Sequence, residues 1–259
     1  MPHISLAAEK IGMIFFLPIT NSLLTTWITM VFLIGATFIV TKQLRISPSG
    51  IQVVIEELIA GLYDLFKSVT GEHVDRFFPL LASFFLFILI GNWSGLLPGV
   101  GSIGIKEGHE VKATQEVYSG EIPKSEEKLI PLFRAPTADL NTTLALALIA
   151  VFSIQYFGFK LLGSRIYLGK FFNFKNPILF FVGLLELVSE FTKVISFTFR
   201  LFGNIFAGEV LLTVIAFLMP LITPLPFLGL EIFVGMIQAL VFSMLTAVFL
   251  NIATAPEAH

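Results

Sequence analysis

A chain of 259 residues that is 56% hydrophobic and only 13% charged, with a mean hydropathy of +0.90, lies outside the soluble range of about 45–50% apolar and about 25% charged residues. Its solvent is lipid. A formal net charge of −2, with no nucleic-acid-reading motif, argues against a nucleic-acid partner, and the lack of any cysteine excludes disulfides, thiolate metal sites and a cysteine nucleophile.

The first twenty residues carry a short apolar run, Ile11 to Pro18, without a basic leader or a small-residue cleavage site, and are read as retained. Residues 23–40 are uncharged and long enough for a hydrocarbon core of about 30 Å, so they predict a first spanning helix; Lys42 and Arg45 follow it. Over 49–70 the pattern changes. Ile51, Val54, Ile55, Leu58, Ile59, Leu62, Leu65 and Phe66 recur at helical spacing, with Gln52, Glu56, Asp64 and Lys67 between them. This amphipathic helix is expected to lie in the membrane interface, although packing on another subunit gives the same stripe.

Residues 77–98 predict a second span, closed by Asn92, Trp93 and Ser94, which read as an interfacial anchor with polar helix packing rather than as proton carriers. The 99–136 segment mixes both signs of charge and reads as an exposed outer loop with room for a small hairpin. An apolar helix follows over 137–162, with Thr137 or Asp139 as its cap. The connection beyond it carries Arg165, Lys170 and Lys175 without an acid, and Lys160 lies just before it. By the positive-inside rule it faces the cytoplasm, which places the N-terminus outside and the C-terminus inside.

Two long helices complete the chain, over 178–219 and 226–253. The first is unbroken by proline for roughly forty residues, or about 60 Å, twice the bilayer core. A steep tilt is favoured over a kink at Gly203 or Gly208, and the two helices form a hairpin around Pro220, Pro224 and Pro226. The whole is read as one all-α membrane domain, 1–259.

The chemistry lies in this hairpin. Glu186, Glu190, Lys193, Arg200, Asn204 and Glu209 interrupt an otherwise apolar helix, and a charge at membrane depth costs at least about 2.5–3.5 kcal/mol. Glu186, Glu190 and Lys193 either snorkel to the inner surface or serve a polar path. Arg200 lies about twenty residues from both bounding prolines and reaches neither interface easily. At about 100° per residue, Glu186, Glu190, Lys193, Arg200 and Asn204 share a stripe, while Glu209 points to the opposite side. On the last helix Glu231 and Gln238 share a face, and antiparallel packing sets Gln238 about level with Arg200. Two carboxylates then gather outside the arginine and two inside it. Carboxylates exchange protons with water, whereas arginine effectively never deprotonates. Arg200 therefore reads as a barrier between two half-paths, with a buried ion pair to one of the glutamates as the alternative. Asp139 and Asn141 either line the outer path or serve the helix start.

The run Arg200-Leu201-Phe202-Gly203-Asn204-Ile205-Phe206-Ala207-Gly208-Glu209 is similar to the signature of subunit a of F-type ATP synthases. Pro136-Thr137-Ala138-Asp139-Leu140-Asn141-Thr142-Thr143-Leu144 resembles that family's second marker, and Glu231 to Gln238 its last helix. The resemblance implies a non-catalytic stator subunit of the Fo sector in a bacterial inner membrane, without metal or cofactor. It would work against a rotating ring of c subunits and be held by a peripheral stalk of b or b/b′ subunits. It makes Arg200 the arginine facing the ring's carboxylate, sets Glu209 and Glu231 in the outer channel with Asn204 and Gln238 nearby, and Glu186 in the inner one. Some family members carry histidine at one of the two outer acidic positions; here both are glutamate, and neither long helix holds a histidine. The competing reading is a proton-coupled secondary transporter, which predicts an internal repeat and interrupted helices; the sequence has neither.

Overall fold

The computed structural model describes residues 7–14, 17–42, 50–97, 100, 103–107, 128–171, 177–219 and 222–255. Arg45, Pro98, Lys175, Pro220 and most of the expected outer loop lie outside the described residues. The chain is an all-α integral membrane protein with two small hairpins. In order it runs β1 (Lys10–Ile14), β2 (Leu17–Thr20), α1 (Asn21–Lys42), α2 (Ile51–Thr70), α3 (Val74–Ser94), β3 (Gly104–Glu107), β4 (Lys128–Pro131), α4 (Leu140–Leu162), α5 (Ser164–Phe171), α6 (Pro177–Leu218) and α7 (Pro224–Thr254). Five helical segments are long and apolar enough to cross a bilayer; the second runs α2 into α3 through a single 3-10 turn at Gly71–His73. Runs rich in Val, Ile and Phe form helices here because hydrocarbon offers the backbone no water, so each segment must satisfy its own N–H and C=O groups.

Several boundaries differ from the sequence expectations. The apolar run near the N-terminus is the antiparallel hairpin β1–β2, whereas the 99–136 segment holds the small hairpin it has room for, β3–β4. The third span begins at Leu140, behind a 3-10 turn at Pro136–Ala138. Asp139, not Thr137, is its N-cap, accepting from the Asn141 N–H at 3.0 Å. The basic connection is itself helical over Ser164–Phe171. The last helix starts at Pro224, so Pro226 falls within its first turn, where a missing N–H is tolerated.

The core joins α3, α7 and one face each of α2, α4 and α6. Lipid supplies no hydrophobic drive between helices, so close packing of small residues does the work. On α4 the buried stripe is Thr143, Ala147, Ala150, Ile154 and Gly158. On α7 it includes Gly235, Ala239, Phe242, Ser243, Thr246 and Ala247. Phe242 meets Phe197 of α6 and Phe84 of α3, with ring centroids 4.8 and 5.4 Å apart. The buried hydroxyls of Thr198, Ser243 and Thr246 donate back to carbonyls four residues earlier, each at 2.8 Å, so none needs a partner across the interface.

α6 is one helix of 42 residues, about 63 Å long, with no break at Gly203 or Gly208. Only Gly183, Phe197, Thr198, Leu201, Ile205 and Gly208 are buried on it. The face through Ser196, Phe199, Arg200, Gly203, Asn204 and Ala207 is exposed.

At the opposite end from the hairpins, α5 folds back on α4 and α6. Its Tyr167 is buried against Gly158, where a side chain would collide with the ring, and its hydroxyl donates to Gln155 Oε1 at 2.6 Å. Burial first, then the nearby Glu190 and Glu186 carboxylates, push the Tyr167 hydroxyl up to about 12, so it keeps its proton.

Candidate functional site

The hairpin of α6 and α7 is antiparallel and locked at mid-length: Asn204 Nδ2 donates to Gln238 Oε1 at 2.6 Å. Gln238 therefore sits level with Asn204, one turn beyond Arg200. On either side of this bond lies a cavity, named outer and inner after the sides that the positive-inside reading of the sequence expects, and the two share no lining residue.

The outer cavity, about 230 Å³, is lined by Arg134, Glu209, Glu231, Asn92 and Thr213 among apolar neighbours. Each water needs about 30 Å³, so it accommodates several. Glu231 is 7% exposed, and its carboxylate lies directly on Gly208, where a Cβ would overlap it. Only glycine at that position lets the carboxylate lie between the helices. Asn92 fixes the opposite wall: its Nδ2 donates to the Gly235 carbonyl at 3.0 Å and its Oδ1 accepts from Thr137 Oγ1 at 2.5 Å. Trp93 Nε1 donates to the Ile232 carbonyl at 3.0 Å. Two α7 carbonyls next to Glu231 are thus tied to α3.

Glu209 Oε2 accepts from Arg134 Nε at 3.1 Å and Nη2 at 3.0 Å. Arg134 precedes the Pro136–Ala138 turn and is itself held. Its N–H donates to Thr25 Oγ1 at 3.3 Å and its Nη1 to the Ala7 carbonyl at 3.2 Å.

The inner cavity, about 240 Å³, is lined by Ser189, Thr192, Lys193, Ser196 and Arg200 of α6, with Leu245 and Phe249 of α7. Lys193 Nζ pairs with Glu190 Oε1 at 2.6 Å and stands 4.8 Å from the Phe249 ring centroid. Glu190 Oε2 is buried without a hydrogen-bond partner. Arg200 Nη2 donates to Ser196 Oγ at 3.3 Å, and among the described residues Arg200 makes no ion pair. The alternative of an Arg200–glutamate pair is not what forms; the arginine that meets Glu209 is Arg134.

Residues 23–251 match the sequence model of the family described as the ATP synthase A chain. The chain belongs to this family. It is 38% identical over 241 residues to ATP synthase subunit a of Gloeobacter violaceus, covering 92% of this chain and 85% of that protein. It is 32% identical over 234 residues to ATP synthase subunit a of Moorella thermoacetica, covering 90% of each. It is 33% identical over 240 residues to ATP synthase subunit a 2 of a Bradyrhizobium strain, covering 93% and 91%.

In this ATP synthase a-subunit chain, the outer cavity brings Glu209 and Glu231 together, and the inner one brings Lys193 to Arg200 with Glu190 paired beside them. Glu186 is half-buried near Tyr167 rather than on the inner cavity. Asp139 and Asn141 do not line the outer cavity. Asp139 caps α4 and its Oδ2 accepts from Ser22 Oγ at 2.8 Å, while Asn141 Nδ2 donates to Asp139 Oδ1 at 3.3 Å. Arg134 is the site residue that sequence reasoning missed. The signal available was a cation two residues before the Pro136-Thr137-Ala138-Asp139 run that opens an apolar helix. Among the described residues no three His, Asp or Glu side chains gather as a metal-binding set.

Proposed function

We infer that the chain is the Fo stator subunit of a bacterial ATP synthase, working in proton translocation across the plasma membrane. The observation that carries the mechanism is Arg200, placed mid-helix on an exposed face of α6 in the wall of the inner cavity, with the outer cavity beyond the Asn204–Gln238 bond and sharing no lining residue with it.

The exposed α6 face fits a rotating ring of c subunits, each with a carboxylate at mid-membrane, and the subunit is held by a b or b/b′ peripheral stalk. It performs no ATP chemistry itself. The N-terminus and both hairpins face outward; α5 and the C-terminus face the cytoplasm; α2 lies in the interface plane. Protons enter the outer cavity, exchange on Glu209 and Glu231, and load a ring carboxylate near Asn204 and Gln238. After rotation they leave through the inner cavity past Lys193 and Glu190, with Glu186 toward the exit. In the wall of the inner path, Arg200 presents a charge that cannot take part in proton relay. It holds the passing carboxylate ionised until that group reaches the other path. The Asn204–Gln238 bond and the packed Leu201, Phe197 and Phe242 keep water in the two cavities apart.

Continuous α6 and α7 and the family assignment do not favour a secondary transporter. Glu209→Gln and Glu231→Gln are each expected to slow gradient-driven ATP synthesis in reconstituted vesicles by about tenfold or more, a barrier increase of about 1.4 kcal/mol. Wild-type rates for both in assembled complexes remove them from the path.

A further inference from the structure

Arg134 meets Glu209 in an unusual way. Arginine and carboxylate commonly pair fork to fork, one nitrogen to each oxygen. Here Nε and Nη2 both donate to Oε2, while Oε1 has no hydrogen-bond partner among the described residues. The two ends of the pair are also unlike: the Arg134 side chain is 7% exposed and that of Glu209 40%. The guanidinium is embedded and the more exposed carboxylate borders the outer cavity, which Glu231 also lines.

Arg134 is fixed from the N-terminal side of the chain. Its backbone N–H donates to Thr25 of α1, and Nη1 donates to the Ala7 carbonyl. The same region is tied down by the Asn21 N–H on the Glu9 carbonyl at 3.1 Å and by Asn21 Nδ2 on the Pro131 carbonyl at 3.3 Å. Ala135, the next residue, packs on Gly95 at the end of α3. The cation thus rests on three separate parts of the fold, while its partner projects from a helix whose far face is bare.

A clamp meant only to hold α6 in place would engage both oxygens. One that holds a single oxygen restricts rotation and leaves the other free to exchange a proton at a fixed place. Proton relay is steeply sensitive to such placement, since a misplacement of about 1 Å can cost about a hundredfold in rate.

We propose that Arg134 is a positioning residue of the outer half-path, holding Glu209 by Oε2 so that Oε1 faces the cavity and Glu231. This rests on Glu209 belonging to that path. The test compares gradient-driven synthesis per assembled complex, in vesicles, for Arg134→Gln, Arg134→Lys, Glu209→Gln, Glu209→Asp and the double Arg134→Gln/Glu209→Gln. Glu209→Gln is expected to slow about tenfold or more, Arg134→Gln about tenfold, and Arg134→Lys less than about threefold. The double variant should be no slower than Glu209→Gln, because both changes remove one function. Glu209→Asp, with Arg134 intact but the carboxylate drawn back by one methylene, should slow like Glu209→Gln; it decides the matter if Arg134→Gln does not assemble. Arg134→Gln or Glu209→Asp at wild-type rate, or a double variant slowed by the product of the single effects, overturns the role of Arg134 alone. Glu209→Gln at wild-type rate overturns the outer-path reading beneath it.

Discussion

Glu231 and Gly208 act as one unit across the hairpin. The Glu231 carboxylate lies where a Gly208 Cβ would be, and it is the mobile end of a flexible side chain, so Gly208→Ala displaces the carboxylate without forcing the helices apart. The expected result is normal assembly with proton-driven synthesis slowed about tenfold, or about 1.4 kcal/mol in barrier, measured as turnover per assembled complex. Unchanged turnover means that the position of this carboxylate does not matter. At this scale the sequence was readable wherever helical period alone decides: Arg200 and Glu209 point apart because nine residues make two and a half turns. It was unreadable for Arg134, whose partner lies 75 residues away in a different element. It left Asp139 open between channel and cap, and the structure commits both its oxygens, to Asn141 and Ser22.

Among the elements, α5 is the piece least legible in advance. Its eight residues read as a basic connection because so short a helix has no full apolar period; it is held by the Tyr167 ring on Gly158 and by the close approach of the Lys170 and Phe171 carbonyls to Gly183. Tyr167→Phe removes the bond to Gln155 and should destabilise by about 0.5–1.5 kcal/mol. Tyr167→Ala also empties the space over Gly158 and should cost about 3–5 kcal/mol. Thermal inactivation of the complex should fall in that order; equal effects would contradict a dock built on the ring. Tyr167 binds its proton more tightly docked than free. The dock is therefore insensitive to pH below the ordinary tyrosine value of 10.0 and weakens as pH rises from there to about 12. The long helices were legible because length, absent proline and scattered charge act locally. The β1–β2 hairpin was not, since its apolar run lacks the alternation that marks a strand.

For the whole molecule, the five spanning segments bring both hairpins, the start of α4 and the end of α6 to one side and α5 to the other. The proposed orientation predicts that Ile103→Cys is labelled by an impermeant thiol reagent from outside and Ser164→Cys from the cytoplasmic side. The chain has no cysteine of its own, so each label reports one site, and the opposite pattern reverses the topology. Under the proposed function an arginine is retained on the exposed face of so apolar a helix because one cavity is walled by it and the other opens beyond the Asn204–Gln238 bond on the opposite face, and a fixed charge keeps the two proton paths apart. The most direct test is ATP synthesis driven by an imposed proton gradient in sealed vesicles carrying assembled Arg200→Ala complexes. Loss of synthesis with assembly intact is the predicted result, and coupled synthesis at the wild-type rate would contradict the account.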